Sequence, residues 1–296
     1  MASISLPGPS ARSARGGTML RQVLLSLRRS PNALIGALLV SLLVLVALFA
    51  PLIAPYDPLA VKPSALLKPP SAEHWLGTDA LGRDQFSRIV YGARISLQLG
   101  LIAVAIAALF GTLLGLLAGY YRGWADNLTS AGVDVLLAFP NILLALAITY
   151  ALGISLTNLM IAVGIAAIPT YVRVVRSTVL TIKENAYIEA ARVSGCSDLR
   201  IILHHILPNA LGPIIVLATL GVATAILSGS ALSFLGLGTK PPTPEWGVML
   251  AEGRSFMLNA WWVTTFPGLA IMLTVLSINL LGDGLRDALD PRLRSR

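Results

Sequence analysis

The chain has 296 residues, of which 55% are hydrophobic and 12% charged, and a formal net charge of +8. Soluble domains carry about 25% charged residues, so this composition excludes an ordinary soluble fold and places the chain in a bilayer. The basic residues sit in the tails and between apolar runs with no aromatic–basic groove, which excludes nucleic acid as a partner, and the lone Cys196 excludes an internal disulfide and a thiolate metal cluster.

Residues 1–30 contain Arg12, Arg15, Arg21, Arg28 and Arg29, with no acid before Asp57. They lack the apolar core of roughly 7–15 residues and the small-residue cleavage site of a secretory signal. An Arg-rich organellar leader would share this look, but the pattern reads as a disordered cytoplasmic tail.

A membrane-spanning helix needs about 20 apolar residues. Six segments qualify in chain order: Leu34–Ile53, Leu97–Leu117, Val133–Leu152, Leu156–Val175, Leu211–Leu235 and Trp262–Leu281. The third and fourth are joined only around Gly153, so a tight helical hairpin is expected there. Between the first two, Pro55, Pro58, Pro63, Pro69 and Pro70 forbid a regular helix and favour an extended connection. The expected organisation is all-α and polytopic: an anchoring helix with its Pro-rich external loop over 31–91, and a five-helix core over 92–285. That core holds a polar loop at 183–209, and a C-terminal tail follows over 286–296. Six spans put both termini and this loop on one side, with 15 Lys and Arg there against 7 opposite, so the side with the tails is expected to be cytoplasmic.

No Asp, Glu, Lys, Arg or His falls mid-span, whereas ion-coupled transporters mark their pathway with such groups. A secondary transporter stays open on residues alone, since carbonyls and hydroxyls also hold sodium. No P-loop exists: Lys62, Lys68, Lys183 and Lys240 precede Pro, Pro, Glu and Pro rather than Ser or Thr. An intramembrane hydrolase needs a nucleophile and base converging at depth, yet His74, His204 and His205 lie outside the spans. His204 and His205 project about 100° apart on a helix and make a poor metal pair. No catalytic residue, metal site or bound cofactor is expected in this chain.

The polar loop is the most ordered-looking of the connections. Lys183–Ser194 reads as a short helix with Tyr187, Ile188 and Ala191 on its apolar side. Gly195 follows as a left-handed cap. Ser197 reads as the N-cap of a second helix with Asp198 in its first turn, and Pro208 is expected to stop that helix before the fifth span. In the spans, Gly111, Gly115 and Gly119 bare one helix face for close packing within the chain or against a partner. Pro140, Pro169 and Pro267 mark hinges or tolerated kinks. Asn141 and Asn279 are the deepest amides, and Thr224 and Ser228 share a face at i, i+4. These four are the candidate pathway residues, though such hydroxyls also bond the carbonyl four residues back.

Glu189-Ala190-Ala191, with Gly195, Leu207 and Pro208, has the pattern E-A-A-x3-G-x12-P. It resembles the EAA coupling loop of ABC importer permeases and departs from it at His205, where Ile is general. Three more stretches resemble the C-type permease of dipeptide, oligopeptide and nickel importers. They are His74-Trp75-Leu76-Gly77-Thr78-Asp79 through Gly82-Arg83-Asp84 to Gly92-Ala93-Arg94, then Pro241–Gly247, and lastly Gly282–Pro291. The resemblance implies a type I, MetI-like permease in a bacterial inner membrane, importing di- or oligopeptides, with nickel and glutathione as alternatives. It also implies a second permease subunit, two cytoplasmic ATPase subunits that bind ATP and Mg, and an external substrate-binding protein. That protein would meet the loops Pro55–Arg94 and Leu237–Trp261, with Trp246, Trp261 and Trp262 as contact residues.

Overall fold

The computed structural model describes residues 31–289; the expectations for residues 1–30 and for 290–296 of the C-terminal tail lie outside the described residues. Among the described residues every long element is a helix, and the one bridge pairs Thr78 with Asp84. Five helices are long and apolar enough to cross a membrane, or six when one sharply bent pair counts as a single span.

Helix α1 (Pro31–Leu48) and a further turn at Ala50–Ile53 form the anchor. A Cβ added at Gly36 would stand 2.4 Å from the Leu281 nitrogen, and one at Gly284 would press on Ala33. Small residues therefore let the first helix touch the last backbone to backbone. Helix α2 (Gln85–Tyr121) starts twelve residues before the expected Leu97. Gln85, Ser87 and Arg88 make its first turn polar but buried, so hydropathy hides it. Asp84 caps it, accepting from the Ser87 N–H at 2.8 Å.

The expected third span, Val133–Leu152, is two helices. Helix α3 (Gly123–Leu137) and helix α4 (Asn141–Leu152) meet at 92°. Pro140 lacks an N–H and holds Phe139 away from helical backbone, so the helix cannot continue through it. The hairpin expected at Gly153 is present: its φ is +90°, and Asn158 Nδ2 donates to the Leu152 and Gly153 carbonyls.

Helix α5 (Leu156–Lys183) runs through Pro169 and beyond the expected Val175. The glycine stripe of α2 packs within the chain: Cβ atoms added at Gly111, Gly115 and Gly119 would meet Tyr171, Val175 and Val179 Cβ atoms at 2.3, 2.7 and 2.7 Å. Both helices step by four residues along the contact, which makes this pair the spine of the fold. Helix α6 (Ala186–Val193) follows.

Pro208 does not stop the next helix. Helix α7 runs Asp198–Phe234, with a π turn at Ile202–Ile206. Proline at 208 removes the N–H and crowds the carbonyl four residues back. The wider i→i+5 turn just before it absorbs that conflict, and Asn209 Nδ2 donates to the His205 carbonyl at 2.6 Å. Helices α8 (Trp246–Gly253) and α9 (Trp262–Leu289) complete the chain.

Candidate functional site

The loop between α5 and α7 is a rigid knob. Its inner side buries Ile188, Ile201, Ile202 and Ile206 against Leu116, Tyr120, Val175, Val179 and Ile182. Of the residues expected on its apolar side, Ile188 is buried and Ala191 half-buried, but Tyr187 faces outward. At Gly195, φ is +79°, the Cys196 N–H donates to the Ala191 carbonyl and the Gly195 N–H to the Arg192 carbonyl. That is a Schellman cap, and it requires the left-handed residue that glycine supplies. Ser197 has N-cap backbone angles but no side-chain cap bond. Asp198 instead accepts from the Tyr120 hydroxyl at 2.5 Å, and Lys183 Nζ reaches the Tyr120 carbonyl at 2.5 Å. These bonds tie the knob to the end of α2.

Glu189, Ala190, Gly195 and Pro208 are all exposed, with Leu207 half-buried beside them. The outward surface also shows Tyr187, Val193, Leu199 and Leu203, with Val193 84% exposed. These apolar side chains are displayed on a polar loop, over its own well-packed seat. Sequence periodicity missed Val193, Leu199 and Leu203 because two helices and a turn contribute them.

Three of the four candidate pathway residues come together. Asn141, Thr224 and Ser228 line one cavity of about 140 Å³ between α2, α4, α5 and α7, joined by Thr170 and Tyr171. The Tyr171 hydroxyl donates to the Leu217 carbonyl at 3.3 Å, and the Thr224 hydroxyl to the Leu220 carbonyl at 3.3 Å. The lining is mostly apolar and carries no charge, with Asn141, Thr170, Tyr171, Thr224 and Ser228 as its polar groups. Asn279 lies elsewhere, with Ser230, in an open groove of about 830 Å³ between α7 and α9.

At the opposite face, two of the three expected contact tryptophans are structural. Trp246 is 1% exposed and its Nε1 donates to the Ile89 carbonyl; Trp262 is 6% exposed and donates to the Thr78 carbonyl. Large rings with a satisfied N–H are anchors of the core, so neither meets an external partner. Trp261 is 52% exposed, next to Met257 and the bare Leu258.

Charged groups hold this face together in a way the sequence motif does not assign. Arg83 Nε donates to Asp79 at 2.6 Å and Nη2 to both Glu252 oxygens at 3.0 Å; Arg88 Nη2 reaches Glu252 at 2.8 Å. The network fastens the Pro-rich loop that precedes α2 to α8. His74 Nδ1 lies 2.8 Å from Asp84 Oδ1. Glu245 caps α8 through the Gly247 and Val248 N–H groups at 3.0 and 2.9 Å. Burial pushes its carboxyl above the usual range, against the pull of those two bonds. Among the described residues no group of three His, Cys, Asp or Glu is placed to hold a metal ion.

Among the described residues, a stack of apolar helices long enough to span a bilayer, without strands and enclosing an uncharged cavity, defines a multi-pass membrane protein. The chain belongs to the family described as binding-protein-dependent transport system inner membrane component, which matches residues 111–295. Residues 18–70 match the N-terminal TM domain of oligopeptide transport permease C. It is thus a transport component of an inner membrane and not an enzyme.

Among curated relatives, the chain is 52% identical to the dipeptide transport system permease protein DppC of Alkalihalophilus pseudofirmus, over 93% of this chain and 90% of that one. It is 49% identical to the di/tripeptide transport system permease protein DppC of Pseudomonas aeruginosa, over 93% of each. Identity to the glutathione transport system permease protein GsiD of Escherichia coli is 53%, over 90% and 88%. Among solved structures, an inward-facing MetNI methionine ABC transporter aligns with TM-score 0.57 at 21% identity, covering 69% of this chain and 96% of that one. The fold is the MetI-like permease fold.

Proposed function

We propose that this chain forms half of the translocation pathway of an ABC importer for di- or oligopeptides. A second, similar permease supplies the other half. Two ATPase subunits bind ATP and Mg, and one of them grips the knob at Glu189–Pro208. Both termini lie in the cytoplasm, and an external binding protein delivers peptide at the face carrying Trp261, Met257 and Leu258. The observation that carries the reading is the apolar row of Tyr187, Val193, Leu199 and Leu203 on a rigidly capped loop. The uncharged cavity suits peptides of varied side chain, and leaves selectivity to the binding protein.

The test is uptake of labelled dipeptide into vesicles that hold the whole assembly. Uptake should require ATP on the knob side, and Val193→Asp should abolish it while the permease still inserts. Uptake that follows a proton or sodium gradient without ATP would assign the chain to secondary transport. Similarity to the glutathione permease supports a second reading, in which the cargo is that γ-linked tripeptide. Competition between dipeptides and glutathione for the binding protein separates the two.

A further inference from the structure

Helix α3 is the least buried long element of the fold. Of its fifteen residues only Val133 is buried, and Trp124, Leu128 and Val135 stand largely exposed. Both its ends are bent. At the start, Arg122 and Gly123 have φ of +57° and +58°, an uncommon state for the non-glycine residue. At the end, the chain turns 92° into α4. Within this chain, so little of α3 is buried that packing alone does not fix where it sits.

Two ion pairs do. Arg176 grips Asp126 through Nε and Nη2 at 2.5 and 2.7 Å, and Arg173 Nη2 donates to Asp134 at 2.8 Å. The two carboxylates are eight residues apart, about 12 Å along α3, whereas the arginines are three apart, about 4.5 Å along α5. The helices therefore cross rather than run side by side. The crossing lies next to the cavity: Asn141 is the first residue after the bend, and Thr170 and Tyr171 line the cavity one turn before Arg173. Beyond Arg176, α5 continues unbroken to Lys183 and the knob.

We infer that α3 is a shutter across the knob-side end of the pathway cavity, latched to α5 by Asp126–Arg176 and Asp134–Arg173. It moves when the knob moves, because α5 is one rigid lever between them. The bidentate pair sets the register, and the more exposed Arg173–Asp134 pair trims it. This inference rests on the importer reading above.

The experiment uses the full assembly in vesicles, with Leu128→Cys as a reporter for a water-soluble maleimide and labelling of the parent chain subtracted. Between nucleotide-free and ATP–vanadate-trapped states the labelling rate at 128 should change about tenfold. Arg176→Asp should erase that change and cut uptake per ATP by about tenfold. The swap Asp126→Arg with Arg176→Asp should restore both. Should Arg176→Asp fail to assemble, Arg173→Gln is read instead, and a halved or smaller labelling change supports the latch.

Labelling that ignores nucleotide while ATP drives uptake overturns the shutter and leaves the importer reading intact. A labelling change that survives in Arg176→Asp and Arg173→Gln, or a swap that rescues nothing in an intact assembly, overturns the latch. Uptake indifferent to ATP in the parent removes the importer reading, and the shutter with it.

Discussion

Gly195 has φ of +79°, and nothing stands within 4 Å of where its Cβ would be. These two facts separate backbone strain from bulk. Any L-residue with a Cβ costs roughly 1–2 kcal/mol in the left-handed region, a factor of about 5–30 in the population of the capped turn. Inside this chain the size of the side chain adds nothing, because the space is open. Gly195→Ala and Gly195→Trp should therefore destabilise the isolated permease equally, and Gly195→Asn less, since Asn tolerates this conformation. In the assembly they should diverge. An ATPase seated on the knob meets the indole, so Gly195→Trp should lose far more ATP-driven uptake than Gly195→Ala at matched membrane levels. Uptake and substrate-stimulated ATP hydrolysis in vesicles report this directly. Equal losses for Ala and Trp would show that only turn strain matters at 195, and wild-type uptake in both would refute docking there.

Gly111→Leu should destabilise the fold by about 1–3 kcal/mol or prevent it, since its first side-chain carbon already collides with Tyr171. Gly132→Ala, in open space on α3, should be neutral or gain up to about 1 kcal/mol; melting in detergent compares them. Trp246→Ala should cost about 3–5 kcal/mol of stability by the same measurement, whereas Trp261→Ala should leave melting unchanged and weaken binding-protein stimulation of ATP hydrolysis. Glu245 has a folded pKa raised mainly by burial above its ordinary 4.5. Its contribution is therefore full below that value and fades as pH rises through the folded pKa. Wild type should melt progressively lower than Glu245→Gln as pH climbs above 4.5, and parallel curves would contradict the assignment.

Five of the six spans were legible because long apolar runs are the strongest signal a bilayer protein emits. The third was misdrawn: Val133–Leu152 is apolar enough throughout, and hydropathy registers composition, not the bend that Pro140 imposes. The start of α2 was missed for the opposite reason, since its polar first turn is buried by partners far along the chain, Val263 for Gln85 and Glu252 for Arg88. Gly195 was readable as a cap from local chemistry alone. The roles of Trp246 and Trp262 were not, because an N–H that bonds Ile89 or Thr78 is a long-range fact. Likewise, Thr224 and Ser228 advertise their shared face, but only the packed helices show that Asn141 joins them and Asn279 does not.

The seam of α1 on α9, through Gly36 and Gly284, joins the first described helix to the last. During synthesis the first described helix therefore waits for roughly 250 further residues before its mate emerges, on the order of tens of seconds at ordinary elongation rates. Until then it is held by its contacts with α2, where Ala47 and Leu43 lie beside Ala93 and Ile89. Its docking closes the structure late, so a chain cut short at the carboxyl end leaves an unclasped helix that quality-control proteases recognise.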